Sequence, residues 1–321
     1  MLLAFAAIIA GLVLLVWSSD KFVDGAVGLA ESSGISKAMI GLTIVAIGTS
    51  APEIVVSIMS ALAESPQLAF GNAVGSNIAN MGLVLGITAL IAALPVKQGL
   101  LKEDLPALLA VTAAAGFLLY DQLLSQNDGF AMIAMLAALM LLMIRYKKEH
   151  ADELIDPAEA AEIPDISLKA SIVWFVIGLV VLVAASRLLV WGAIEVARAL
   201  DVSEIVIGLT IVAVGTSLPE LAASVASALR KHHDIALGNI VGSNIFNLIA
   251  VLPAAAVIYP IEISQHEFIR DYGSMVGITL LLTVFILWPR KTRQLSKVEG
   301  GLLLSCYVAY LVMLYRDTVQ V

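Results

Sequence analysis

The chain has 321 residues, of which 60% are hydrophobic and 14% are charged, with a formal net charge of −8. Soluble domains contain about 45–50% apolar and about 25% charged residues, so this composition excludes an ordinary soluble protein and indicates a polytopic membrane protein. The single cysteine, Cys306, excludes an internal disulfide framework and a cysteine-based metal cluster.

Apolar runs long enough to cross about 30 Å of hydrocarbon as helices are predicted ten times along the chain. They cover residues 2–31, 37–62, 67–94, 101–119, 128–146, 168–197, 204–229, 234–258, 268–288 and 298–315. The first run is interpreted as a retained span, because no Lys or Arg precedes Lys21 and no small-residue cleavage site follows. Four aspartates lie near the ends of predicted spans and are expected to face water, namely Asp104, Asp121, Asp128 and Asp271.

The second predicted span carries polar groups where they are costly. Its segment from Gly41 to Glu53 reads GLTIVAIGTSAPE and contains two hydroxyls, a proline and a carboxylate (Thr49, Ser50, Pro52 and Glu53). An ionisable group at bilayer depth costs about 2.5–3.5 kcal/mol, so it marks a function by default. Pro52 also leaves the carbonyl of Gly48 without its usual helical donor. Carboxylate, hydroxyl and free carbonyl oxygens are the hard ligands that Na⁺ and Ca²⁺ prefer.

The same segment occurs again 167 residues later, where Gly208 to Glu220 reads GLTIVAVGTSLPE. Residues 71–80 (GNAVGSNIAN) and 238–247 (GNIVGSNIFN) keep the same shift, and 24 of 40 positions are identical between 41–80 and 208–247. This internal duplication maps predicted spans one to five onto six to ten. Because five is odd, the second half enters the membrane in the opposite sense. The sequence therefore predicts an all-α polytopic membrane protein with ten transmembrane helices, arranged as two inverted five-helix repeats.

The predicted repeats cover residues 1–146 and 168–321, and a hydrophilic linker, 147–167, joins them. The linker is acidic and is interpreted as a solvated connector. With the N-terminus outside, fourteen Lys and Arg residues fall on the inner side and three on the outer side. Positive residues favour the cytoplasmic side, so both termini are predicted outside and the linker in the cytoplasm.

Paired GTSxPE and GSNxxN segments, one pair in each half, resemble the α-repeats of the Ca²⁺/cation antiporter superfamily, in particular prokaryotic sodium/calcium exchangers. The resemblance implies a central site in which Na⁺ and Ca²⁺ compete for overlapping oxygen ligands, with Glu53 and Glu220 as the central carboxylates. It also implies ligands from hydroxyl, amide and carbonyl groups at Thr49, Ser50, Ser76, Asn80 and Ala46, and at their repeat partners Thr216, Ser217, Ser243, Asn247 and Ala213.

The chain departs from the family pattern at Asn247, where several exchangers carry an acidic residue. Asn80 and Asn247 are both neutral, so the formal charge of the site is −2, from the two glutamates alone. This charge matches one Ca²⁺ or two Na⁺. It weakens the case for K⁺ co-transport that depends on an additional acid.

These observations predict a secondary antiporter, not an enzyme, that exchanges Ca²⁺ for Na⁺ across the bacterial inner membrane by alternating access. It needs the lipid bilayer, and no cofactor, nucleic acid or obligatory oligomer is expected. The nearest alternative is a Ca²⁺/H⁺ antiporter in which the same two glutamates titrate. A cation channel would more often build its site from several subunits. An intramembrane hydrolase based on Ser50 would need a membrane-embedded His or Lys base, which the repeats do not contain.

Overall fold

The computed structural model describes residues 1–33, 37–149, 167–200, 213–288 and 293–319. Almost all of these residues are helical. In chain order the helices are α1 (Leu2–Ser33), α2 (Lys37–Thr49), α3 (Ala51–Leu62), α4 (Pro66–Ile91), α5 (100–118), α6 (Gln126–Glu149), α7 (Leu168–Ala199), α8 (Ala213–Thr216), α9 (Leu218–Leu229), α10 (His233–Ala256), α11 (Gln265–Leu287) and α12 (Lys297–Val319).

Six helices within the described ranges are each long and apolar enough to cross a bilayer, namely α1, α4, α7, α10, α11 and α12. Helices α2 and α3 also qualify if they count as one span, bent by 42°. The protein is therefore a multi-pass membrane protein. The predicted total of ten spans stays a prediction, because α9 and the apolar part of α6 are shorter and residues 201–212 lie outside the described ranges. Most of the predicted linker, 150–166, also lies outside them.

Local backbone features recur at the spacing of the duplication. The turns before α4 and α10 each contain a residue with positive φ, Glu64 (56°) and Lys231 (62°). Inside each of these two helices a wide π-helical turn follows the repeated motif, at Asn80–Val84 and Asn247–Val251. The two copies therefore share backbone irregularities at positions where their sequences differ, such as Glu64 and Lys231.

Two short antiparallel strand pairs join the halves. Strand β1 (Leu94–Pro95) pairs with β4 (Gln294–Leu295), and β2 (Leu123–Leu124) pairs with β3 (Ile261–Glu262). Each pair takes one strand from a loop of the first half and one from a loop of the second. The halves are thus hydrogen-bonded to each other at two separate places.

Helices α1 and α7 pack against each other along most of their length. A Cβ atom at Gly25 would lie 2.3 Å from the backbone nitrogen of Phe175, and one at Gly178 would lie 2.5 Å from that of Phe22. Near the other end of α7, a Cβ at Gly192 would be 2.7 Å from the carbonyl oxygen of Ala4. Residue numbers rise along α1 as they fall along α7, so the two helices are antiparallel. The glycines permit this close approach.

The α1–α7 pair lies at the edge of a core built around α4 and α10. The apolar stretches of α4 and α10 are 78% and 94% buried, whereas those of α1 and α7 are 28% buried each. The buried side chains of α1 and α7 form an apolar cluster of their own with parts of α2, α9 and α10, separate from the main cluster. The structure therefore consists of a large helical core and a peripheral antiparallel pair.

Candidate ion-binding site

Both copies of the GTSxPE motif break a helix at the serine. Ser50 has φ −84° and ψ 2° between α2 and α3, and Ser217 has φ −91° and ψ 7° between α8 and α9. The proline that follows each serine stands in the first turn of the next helix, where its missing N–H removes no helical hydrogen bond. Glu53 and Glu220 therefore lie in first helical turns beside a break in the backbone.

The two carboxylates are buried, with 2% of Glu53 and 1% of Glu220 exposed. The hydroxyl of Ser50, which lies three residues before Glu53, contacts the carboxylate of Glu220. In the described part of the chain, the Oε2 atom of each glutamate has no hydrogen-bond partner, and neither does the hydroxyl of Ser217. A buried polar atom without a partner costs about 1–3 kcal/mol, so an oxygen-seeking cation placed here would remove a penalty as well as neutralise charge.

Hydroxyls of the first half contact polar groups of the second half. The Ser50 hydroxyl donates to Oε1 of Glu220 at 3.5 Å. The Thr49 hydroxyl donates to Oδ1 of Asn239 at 3.1 Å and lies 3.5 Å from the hydroxyl of Ser243. The structure thus brings Thr49, Ser50, Glu220 and Ser243 together across the halves.

Asn72 is a residue of this site that sequence reasoning missed. Its Nδ2 atom donates to the carbonyl oxygen of Glu53 at 3.1 Å and to the hydroxyl of Ser57 at 3.2 Å. These bonds fasten the first turn of α3 to α4. The available signal was the repetition itself, because Asn72 and its equivalent Asn239 are identical in the two GN dipeptides.

Asn239 makes the equivalent bonds in the second half. Its Nδ2 atom donates to the carbonyl oxygen of Glu220 at 3.4 Å and to the hydroxyl of Ser224 at 2.9 Å. Its Oδ1 atom accepts the bond from Thr49. Asn239 is therefore connected both to the glutamate-bearing helix of its own half and to a predicted ligand of the other half.

The remaining predicted ligands lie on the same helices. Ser76 and Asn80 are buried on α4, and Asn247 is buried on α10. Among the described residues, both amide atoms of Asn80 and Oδ1 of Asn247 have no hydrogen-bond partner. The carbonyl of Ala46 accepts from the backbone N–H of Ser50 at 2.9 Å. Ala213 begins α8, and Thr216, which is partly buried, ends it.

The expectation that Asp104 and Asp271 face water is wrong. Asp104 is 1% exposed and Asp271 is 7% exposed. Arg270 donates from Nε and from a terminal nitrogen to the two oxygens of Asp271, both at 2.7 Å, and the hydroxyl of Tyr310 donates to it at 3.0 Å. The paired arginine explains why Asp271 can be buried near a span end.

Across the described ranges, no group of three or more His, Cys, Asp and Glu side chains converges. A cation at the helix breaks would therefore be held by the two carboxylates together with neutral hydroxyl, amide and carbonyl oxygens. Such a mixed oxygen set suits Na⁺ and Ca²⁺ better than softer metals.

Comparison with known families agrees with this chemistry. The sequence profile described as "Sodium/calcium exchanger protein" matches residues 3–145 and 170–316. The chain belongs to this family. The resemblance read from the GTSxPE and GSNxxN motifs is thereby confirmed.

Several known proteins align with nearly the whole chain. The inner membrane protein YrbG of Escherichia coli is 40% identical over 98% of both chains, and the sodium/calcium exchanger MaX1 of Methanosarcina acetivorans is 31% identical over 97% of this chain and 98% of its own. Among solved structures, the sodium-calcium exchanger NCX_Mj soaked with 10 mM Na⁺ and zero Ca²⁺ superposes with a TM-score of 0.81 at 33% identity, covering 97% of this chain and 98% of that one.

Proposed function

We propose that this protein exchanges Ca²⁺ for Na⁺ across the bacterial inner membrane by alternating access. The observation that carries the proposal is the pair of buried carboxylates at two equivalent helix breaks, each with an Oε2 atom lacking a partner among the described residues. The names of MaX1 and NCX_Mj support Na⁺ and Ca²⁺ as the ions, and the name of YrbG supports the inner membrane. The same relatives favour a transporter over an ion channel or an intramembrane hydrolase.

The proposed ligands are the glutamates and the neutral oxygens around them. Glu53 and Glu220 supply the charge, and the neutral ligands are Thr49, Ser50, Ser76, Asn80, Thr216, Ser217, Ser243 and Asn247, with the carbonyls of Ala46 and Ala213. Because a single carboxylate pair cannot hold Ca²⁺ and a full set of Na⁺ ions together, the ions take turns. This competition is itself the coupling between the two fluxes.

The proposed architecture has ten spans in two inverted repeats, 1–146 and 168–321, with the site at mid-depth where the broken helices meet. The antiparallel packing of α1 and α7 supports this arrangement, since they begin the two repeats and run in opposite directions. The distribution of Lys and Arg supports external termini and a cytoplasmic 147–167 linker.

A change of orientation with an empty site is penalised by its two unneutralised charges. Occupied states avoid that penalty, so the protein changes orientation mainly with ions bound. If more positive charge enters with Na⁺ than leaves with Ca²⁺, the membrane potential assists export. Each elementary charge moved through the field contributes about 2.3 kcal/mol per 100 mV.

The decisive experiment compares two gradients in inverted membrane vesicles. We expect Ca²⁺ uptake when the vesicles are loaded with Na⁺ and diluted into Na⁺-free buffer, and we expect it to persist with a protonophore that collapses any pH difference. The hydroxyls around the glutamates favour Na⁺, because a proton needs no such oxygen cage. Uptake that requires a pH gradient and ignores Na⁺ would instead establish the Ca²⁺/H⁺ antiporter.

A further inference from the structure

Two equivalent helix faces, one on α9 and one on α3, differ in their exposure. On α9, Ala223 and Ala226 are 1% and 8% exposed, because they pack in the apolar cluster of α1 and α7. Their equivalents on α3, 167 residues earlier, are Val56 and Met59, which are 40% and 59% exposed. The peripheral pair therefore covers the α9 face and leaves the equivalent face of α3 open.

On the covered side, ion pairs between charged side chains connect α1 to the turn after α9. The Nε atom of Arg230, in the turn after α9, lies 3.2 Å from Oδ1 of Asp20 on α1. One terminal nitrogen of Arg230 also bonds to the carboxylate of Asp24, and Lys21 pairs with the other oxygen of Asp24 at 3.2 Å. We call the contacts of Arg230 with Asp20 and Asp24 the α1 latch.

The duplication places an opposite charge at one latch position of the uncovered side and beside the other, because the equivalent of Arg230 itself is Ala63. The equivalent of Asp20 is Arg187 on α7, and the equivalent of Lys231, beside Arg230, is Glu64. Glu64 and Lys231 also share the same positive-φ turn conformation. Arg187 and Glu64 are both exposed, and within the described ranges neither forms an ion pair.

We infer that Arg187 and Glu64 form a second latch, with reversed charges, in the opposite-facing state of the transporter. Inverted-repeat transporters change orientation by moving one part against the other around a fixed site. If the two halves exchange conformations, α7 covers Val56 and Met59, Arg187 meets Glu64, and Asp20 leaves Arg230. The inference rests on the proposed alternating access.

The packing of the peripheral pair supports its movement as one body. Gly25 and Gly178 hold α1 and α7 in direct backbone contact, whereas both helices meet the core through a separate apolar cluster. Partly exposed ion pairs bias an equilibrium without locking it. Two latches of similar strength would keep both orientations populated, as repeated turnover requires.

Cross-linking tests the inference directly. With Cys306→Ala as background, one variant carries Asp20→Cys and Arg230→Cys, and the other carries Arg187→Cys and Glu64→Cys. We expect a short bis-methanethiosulfonate, which joins two thiols through disulfide bonds, to link each pair in membranes and to stop Ca²⁺ uptake in both cases. Reduction of these disulfides should restore uptake. Any change in ion concentrations that increases the yield of one cross-link should decrease the yield of the other. A transport-active Arg187→Cys, Glu64→Cys variant that never cross-links would overturn the second latch.

Charge variants give a second readout. Glu64→Gln and Arg187→Gln should each change the rate of exchange by about two- to five-fold. The double variant should change the rate by less than the two single effects combined, because either substitution alone already removes the pair. Arg187→Glu combined with Glu64→Arg should restore the rate. The matched control is Arg198→Gln, because Arg198 is exposed on the same helix and pairs with Glu195 at 3.6 Å. Strictly additive effects would contradict the pairing.

Failure of the proposed function is distinguishable from failure of the latch. The cross-links report the orientation of the helices whichever ion drives Ca²⁺ uptake. A Ca²⁺/H⁺ antiporter would still show both cross-links in alternation. If the protein exchanges Ca²⁺ for Na⁺ but only the cysteines at positions 20 and 230 cross-link, the proposed function stands and the second latch is refuted.

Discussion

Thr49 and Asn239 stand 190 residues apart in the sequence, yet the hydroxyl of Thr49 donates a 3.1 Å hydrogen bond to Oδ1 of Asn239. Asn239 uses its Nδ2 atom for the carbonyl of Glu220 and the hydroxyl of Ser224. A predicted ligand of the first half is thereby connected to the carboxylate-bearing helix of the second. If Thr49 binds an ion as proposed, that ion also acts on the backbone that orients Glu220.

Asn239→Ala should weaken ion capture. It removes all three hydrogen bonds and leaves buried polar partners unsatisfied, at a cost of about 1–3 kcal/mol. We expect the Ca²⁺ concentration for half-maximal exchange to rise about tenfold, measured in inverted vesicles at fixed protein content. The matched control, Ser224→Ala, removes a single bond and should shift this concentration much less. Equal shifts in the two variants would contradict a positioning role for Asn239.

Glu53→Gln and Glu220→Gln should each abolish Ca²⁺-dependent exchange while the protein still inserts into the membrane. Glutamine keeps the shape and one acceptor oxygen but removes half of the site's negative charge. The control is Glu262→Gln, because Glu262 is exposed on β3. Vesicle uptake and membrane content should be measured on the same samples. Full activity in either glutamate variant would refute the assignment of the site.

Asn247→Asp should shift the competition between the ions toward Ca²⁺. It restores the acidic group that several exchangers carry and adds a third negative charge, and ligand charge tunes Ca²⁺ affinity. We expect less Ca²⁺ to be needed for half-maximal exchange, and more Na⁺ to inhibit Ca²⁺ binding. Asn80→Asp, the change at the equivalent position, should act in the same direction. Unchanged competition in both variants would exclude these asparagines as ligands.

Gly25→Ala should destabilise the protein by separating α1 from α7. The added Cβ would lie 2.3 Å from the backbone nitrogen of Phe175, which cannot move aside alone. Overpacking of this kind costs about 1–3 kcal/mol, so the unfolding temperature of the detergent-purified protein should fall by several degrees. Gly301→Ala is the control, because no described atom outside its own stretch of helix lies within 4 Å of its added Cβ. A normal unfolding temperature for Gly25→Ala would contradict the close contact.

Composition was sufficient to predict the membrane class, and the paired motifs were sufficient to predict the family. Glu53 and Glu220 could be singled out because an ionisable group inside an apolar run is costly and therefore indicates a function. Asn72 and Asn239 did not stand out, since an amide on a helix could serve packing as well as a site. Their role depends on carbonyl oxygens of a neighbouring helix, and the sequence does not show which helices are neighbours.

The burial of Asp271 escaped prediction for a similar reason. Its position near a span end suggested solvent, but Tyr310, 39 residues away, closes over the carboxylate that Arg270 neutralises. Pro52 indicated that the helical hydrogen bonding is interrupted beside Glu53, and the structure places a bend of 42° there, between α2 and α3. The sequence indicated the chemistry of individual residues, but it did not indicate which residues distant along the chain contact them.

The strand pairs carry a consequence for the assembly of the two halves. Strand β1 of the first half corresponds to β3 of the second half, and β2 corresponds to β4. Strand β1 therefore pairs with the counterpart of β2, and β2 pairs with the counterpart of β1. Such an interface is self-complementary, as in a symmetric homodimer. Two copies of one half would therefore form the same two strand pairs in a symmetric homodimer. Residues 1–149 and 167–321, expressed as separate polypeptides, should find each other and assemble.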